Sequence, residues 1–121
     1  MWLDARYEHI WEGGRVISMA VIGAYGLRAD GVREVLGITV GVSEDAVLWR
    51  GSSCRALVGR GLRGVQLVNS DAHRGLVEAI AQVFVGASWQ RCTVHFLRNV
   101  EARVPKSDQS MVRAAVGSIF K

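Results

Sequence analysis

The chain begins with residues of alternating character. Leu3, Ala5, Tyr7, His9 and Trp11 form one mostly apolar set, and Trp2, Asp4, Arg6, Glu8 and Ile10 form a mixed one. A period of two predicts a strand over Trp2 to Trp11 with its sets on opposite faces. Gly13-Gly14 follows, and two glycines are what a tight hairpin turn with positive φ at both positions asks for. The spacing then predicts a second strand from Arg15 to Tyr25. With Gly13 and Gly14 as the loop, Glu12 faces Arg15, and the ladder carried back sets Asp4 opposite Gly23. A glycine there either leaves room beside Asp4 for an ion or a phosphate, or marks a bulge.

Asp30-Gly31 reads as a second turn, and Arg33 to Val42 as a third strand containing Val35, Leu36, Ile38 and Val40. The pattern then changes to helical spacing. Ser43 is an N-cap candidate, with Glu44 and Asp45 suited to a helix start. Val47, Cys54, Leu57 and Val58 give the helix an apolar stripe. Gly51-Ser52-Ser53 weakens its middle, and Gly59 and Gly61 end it. Val65 to Val68 is predicted as a fourth strand. Ala72 to Phe84 is predicted as a helix with apolar residues at 72, 76, 79, 80, 83 and 84, stopped by Gly86. Ala87 to Arg91 reads as a fifth strand, and Thr93 to Val104 as a helix ending before Pro105. Ser107 caps a last helical pattern with Met111, Ala115 and Ile119 on one stripe.

Three meandering strands followed by right-handed crossovers give a mixed α/β sheet with the first strand central, in the order 3-2-1-4-5. This arrangement resembles that of ribonuclease H-like proteins. It sets Asp4 and Asp71, 67 positions apart, on neighbouring strands. Strands lie roughly 4.8 Å apart, so two such carboxylates can share divalent metal for chemistry on DNA phosphates. Magnesium suits oxygen ligands of this kind. Each aspartate also has a plainer explanation. Asp71, between strand and helix, is a ready N-cap. Asp4 can sit on an exposed strand face or pair with an arginine.

Composition narrows the class. The chain has 121 residues, half of them apolar, 21% charged and one proline. That is globular composition, ample for one core. The longest mostly apolar run, Val16 to Tyr25, is shorter than the roughly 20 residues a bilayer span needs. The first residues show no secretory pattern, so the expected compartment is the cytoplasm. Net charge is +4, with 13 of 15 basic residues arginine. The excess fits phosphate recognition and equally a solubilising surface. Arg91, Arg98, Arg103 and Lys106, with Trp89 close by, either line a DNA track or form a solvated helix face. His73 follows Asp71 by two residues and either contacts substrate or sits on the surface. Cys92 and His95 form a Cys-x-x-His pair. A structural zinc site needs four ligands, and the alternative is a buried thiol beside a capping-region histidine.

Several segments resemble Mutator-type bacterial insertion-sequence transposases, in the same order along nearly the whole chain. Trp2-Leu3-Asp4-Ala5-Arg6-Tyr7 is similar to their first catalytic strand, and Arg33-Glu34-Val35-Leu36-Gly37 to their third strand. Gly61-Leu62-Arg63-Gly64-Val65 with Ser70-Asp71-Ala72-His73-Arg74-Gly75-Leu76 resembles the segment of their second catalytic aspartate. Trp89-Gln90-Arg91-Cys92-Thr93-Val94-His95-Phe96-Leu97-Arg98-Asn99 resembles their Cys-x-x-His segment, and Val104-Pro105-Lys106 also fits.

The resemblance implies a DDE transposase core of ribonuclease H-like fold that uses three acids and Mg2+ or Mn2+. It implies cleavage at the ends of a mobile element and joining of the freed 3′ hydroxyl to target DNA. Carried over, Asp4 is the first metal ligand and Asp71 the second, and residues 1–104 are a partial catalytic core. Residues 105–121 are then the start of a helical insertion, and the third acid, a glutamate, lies beyond it. Trp11 stands where a basic residue is expected, and Gly51-Ser52-Ser53 interrupts the usual helix. The expectation is a truncated transposase, with element ends and target DNA, a second copy or a full-length transposase as partners. Two alternatives remain open. One is a non-catalytic remnant that binds DNA or a transposase. The other is a small ribonuclease H-like nuclease with Glu101 as third acid, Glu78 being a weaker candidate.

Overall fold

A computed structural model describes residues 1–42 and 46–121, with side chains from 43 to 50 outside the description. The Ser43 cap and the apolar contact of Val47 lie outside the described residues. The chain divides into two compact units, Met1–Gln90 and Arg91–Lys121, each taken here by itself.

The first unit is built on a mixed sheet. Strands β1 (Trp2–Glu12), β2 (Arg15–Leu27) and β3 (Arg33–Val42) form the antiparallel meander. Helix α1 (Ala46–Gly59), strand β4 (Leu67–Ser70), helix α2 (Arg74–Val83) and strand β5 (Ser88–Arg91) follow. The sheet order is β3-β2-β1-β4-β5, with β1 and β4 parallel. Gly13 and Gly14 take φ of 59° and 78°. Both are in the left-handed region that only glycine enters without steric cost. They fix the register, and Asp4 lies opposite Gly23.

One face of the sheet is covered. Leu3, Ala24 and Val68 pack with Cys54 and Leu57 of α1 and with Leu76, Ala79, Ile80 and Phe84 around α2. The expected stripes of both helices supply this core. Helix α1 runs unbroken through Gly51-Ser52-Ser53, because tertiary packing overrides a weak local propensity. Ser53 is itself buried, a small side chain in the core-facing part of the helix.

Other boundaries moved. Strand β4 extends from Leu67 to Ser70 rather than from Val65 to Val68. Backbone pairing decides it: the Asn69 amide donates to the Met1 carbonyl at 2.8 Å, which holds two polar residues in the ladder. Helix α2 starts at Arg74, not Ala72. In β1 only the first residues reach the core. Tyr7 is 49% exposed and Trp11 77%, since the hairpin runs past the end of β4, whose pairs with β1 are Trp2↔Asn69 and Leu3↔Ser70.

The second unit holds α3 (Thr93–Glu101) and α4 (Gln109–Gly117), with short 3-10 turns at Lys106–Asp108 and Ser118–Phe120. Helix α3 ends three residues before the expected Val104. Ser107 lies inside the 3-10 turn and caps nothing; α4 begins two residues later. The stripe of Met111, Ala115 and Ile119 faces outward, with Met111 67% and Ile119 74% exposed. The side of α4 that meets α3 instead carries Gln109 and Arg113. The Gln109 amide donates to the Glu101 carbonyl at 3.1 Å, and the Arg113 fork binds the Glu101 carboxylate. Phe96 and Phe120 meet edge to face at 6.1 Å between ring centres.

Candidate functional site

Chain alternation sorts the sheet residues by face. Leu3 pairs with Ala24 and Ser70, and this row is buried under the helices. Trp2 and Asp4 point the other way, as do their partners Tyr25, Gly23 and Asn69. Asp71 is the residue after β4, at the step that follows the Leu3↔Ser70 pair. Asp71 is thus one step beyond the paired end of β4, the strand that lies parallel to the one carrying Asp4.

The ordinary explanation of Asp71 as a helix cap does not hold. The N-cap of α2 is His73, in extended conformation and without a side-chain cap. The Asp71 carboxylate accepts from the amide of the next residue, Ala72, at 2.8 Å. The end of β4 is held from the other side. The Trp89 indole N–H donates to Ser70 Oγ at 2.8 Å, and Ser70 Oγ donates to the Asp71 carbonyl at 2.9 Å. Ser70 is 1% exposed. A buried, hydrogen-bonded serine thus anchors the backbone that presents Asp71.

Neither reading of Gly23 stands. The β1–β2 ladder is regular through it, and the irregularity falls one residue later, where Tyr25 pairs with Val35 and Leu36 is the extra residue of β3. The space over Gly23 is filled by the ring of Tyr25. A Cβ at position 23 would lie 2.5 Å from the tyrosine hydroxyl and 2.8 Å from two ring carbons. Glycine is therefore required for Tyr25 to fold back across the strand, and the phenol lies at the cross-strand neighbour of Asp4. The alternation of the sequence carried no signal for this, because Tyr25 reads as one more strand residue.

The remaining candidates are placed as follows. His73 is exposed at the head of α2. Glu78 pairs with Arg74 at 2.8 Å on the outer side of α2. Cys92, His95 and Glu101 belong to the second unit. Cys92 is half-buried at the head of α3. Glu101 is engaged by Arg113, which holds its carboxyl below the usual carboxylate range, while burial works the other way. Arg91 stacks its guanidinium on Phe96 at 5.2 Å, and Arg98, Arg103 and Lys106 are exposed. Among the described residues no group of three or more His, Cys, Asp or Glu is placed to hold a metal ion. Asp4 and Asp71 are two oxygen donors of the type magnesium takes, and two fall short of the three acids of a DDE site.

With this geometry in hand, comparison with known proteins is informative. The transposase Mutator family matches residues 1–121, and the chain belongs to that family. It is 43% identical over 118 residues to the transposase for insertion sequence element IS256 in transposon Tn4001 of Staphylococcus aureus, covering 98% of this chain and 30% of that protein. It is 49% identical over 104 residues to the transposase for ISRM5 of Rhizobium meliloti, covering 86% of this chain and 26% of that protein. The transposase for IS1081 of Mycobacterium tuberculosis is 44% identical over 117 residues, covering 97% and 28% respectively. The chain thus spans about 30% of the length of the relatives it matches. Among the described residues no helix is long and apolar enough to cross a membrane.

Proposed function

We propose that this chain is the part of a DDE transposase core that carries the first two acids, Asp4 and Asp71, in a ribonuclease H-like sheet. It acts on DNA at element ends and target, with Mg2+ or Mn2+ as cofactor. One observation carries the reading. Asp4 lies in the central strand, and Asp71 directly follows the end of the parallel strand beside it. Family membership supplies the substrate class. A divalent ion held there would activate the attacking oxygen and stabilise the leaving one. The residues of this chain hold and orient: Ser70 and Trp89 fix the turn that bears Asp71, and Gly23 and Tyr25 flank Asp4.

The third acid is not supplied by Glu101 while Arg113 holds its carboxylate, so the reading as a small nuclease requires that pair to open. Manganese titration followed by electron paramagnetic resonance tests the proposal. Weak binding is expected, and Asp4→Asn or Asp71→Asn should each abolish it. Manganese affinity unchanged in both variants would refute the pair as a metal site. With element-end DNA and magnesium, the 121 residues alone should join no strands. Robust joining would place the third acid within them, with Glu101 the first to substitute.

A further inference from the structure

The row of residues next to the carboxylates has a chemistry of its own. Trp2 pairs with Tyr25 on one side and with Asn69 on the other, so one rung of the sheet carries an indole, a phenol and an amide on the bare face. The rung is two residues along β1 from Asp4, about 6.6 Å. Arg33 lies over the Trp2 ring, 5.7 Å from its centre. Trp2, Tyr25, Gly26, Arg33, Glu34 and Val35 line a cavity of about 440 Å3. A second groove of about 700 Å3 leads from Trp2 and Asn69 past Arg63 and Arg28. Among the described residues the Oδ1 atom of Asn69 is closed off from solvent without a hydrogen-bond partner, so the amino group is the end of this amide left for a ligand.

We infer that Trp2, Tyr25 and Asn69 form a seat for a nucleobase flanking the phosphate held at Asp4 and Asp71. The inference rests on the proposed function. Aromatic rings supply stacking surface that accepts any base. The Asn69 amino group can donate to an acceptor on a base edge. Arg33 and Arg63 add positive charge along the backbone path, while Arg28 is ion-paired with Asp30. The phenol over Gly23 joins the two rungs, so the seat and the carboxylates form one continuous surface.

The test measures binding of fluorescein-labelled single-stranded DNA to the 121-residue chain by anisotropy in magnesium. Three probes are used: oligo-dA, oligo-dT and an abasic strand of equal length. The wild-type chain should bind the base-bearing strands more tightly than the abasic one. Trp2→Ala should weaken binding to them about tenfold and leave the abasic strand unchanged. Trp2→Phe, which keeps a ring and guards against a folding failure, should retain most of the affinity. Asn69→Leu should weaken binding of the base-bearing strands and leave the abasic strand unchanged. Equal weakening of all three strands by Trp2→Ala, indifference of the wild type to the presence of bases, or no binding of any strand would overturn the seat. So would a dimer seen by sedimentation that Trp2→Ala dissolves with no change in DNA affinity. Manganese binding that depends on both aspartates, together with indifference to bases, would sink the seat alone. Base preference without that metal dependence would sink the metal site and leave the seat standing.

Discussion

The two faces of the sheet both carry apolar residues and are very different in structure. On one, Leu3, Ala20, Ile22, Ala24 and Val68 are each less than 5% exposed beneath α1 and α2. On the other, Val35 is 60%, Ile38 65% and Val40 54% exposed. Asp4 and the rung of Trp2, Tyr25 and Asn69 are on the second face. Burial stabilises the fold by roughly 25 cal/mol per Å2 of apolar surface removed from water. A face that keeps that surface in contact with water contributes little to stability and is open to chemistry. The covered face therefore holds the unit together, and the bare face is free to carry function.

That contrast can be broken most directly by truncation. Ile80→Ala, at 2% exposure, should cost about 2–5 kcal/mol in urea unfolding. Val40→Thr should stay within about 0.5 kcal/mol. Comparable losses would mean that the bare face is load-sharing after all. Next comes Gly23→Ala, which turns the tip of the Tyr25 ring off the strand and, with Tyr25 40% exposed, should cost about 0.5–1 kcal/mol. In a Tyr25→Ala background most of that cost should vanish, a coupling that a double-mutant cycle measures.

Smaller effects sharpen the picture through protons. Burial pushes the Cys54 thiol up to about 11 from an ordinary 9. A raised acid pKa contributes stability in full below the unfolded value, and that stability is lost as pH rises from about 9 toward 11. In iodoacetamide at neutral pH, Cys92 should be labelled in the native chain and Cys54 only after unfolding. The Glu101 carboxyl shifts the other way, held down by Arg113. Its contribution should be complete above the ordinary carboxylate range and should fade as pH falls through the lower folded value. Glu101→Gln should flatten that acid limb, seen by following the α3–α4 unit by circular dichroism. An acid limb unchanged in the variant would assign the effect to other carboxylates.

Much of the framework was legible because it is local. The turn at Gly13-Gly14 depends on dihedral freedom at two adjacent positions, and it fixed the pairing of Asp4 with Gly23. Connection handedness then gave the strand order. The stripe of α2 named Leu76, Ala79 and Ile80 correctly because a helix of known period has one apolar side. The stripe of α4 misled for the opposite reason. Met111, Ala115 and Ile119 are apolar and in phase, yet the ion pair between the buried Glu101 and the largely exposed Arg113 is on the side of α4 that docks.

The sequence by itself determined the order of the elements and the register of the first hairpin, because turn chemistry and side-chain period are properties of neighbours along the chain. Only the tertiary structure decided which sheet face is covered, that Tyr25 lies over Gly23, and that Asp71 is not a helix cap. Those outcomes depend on how distant segments compete for the same space, and no short window of residues records that competition.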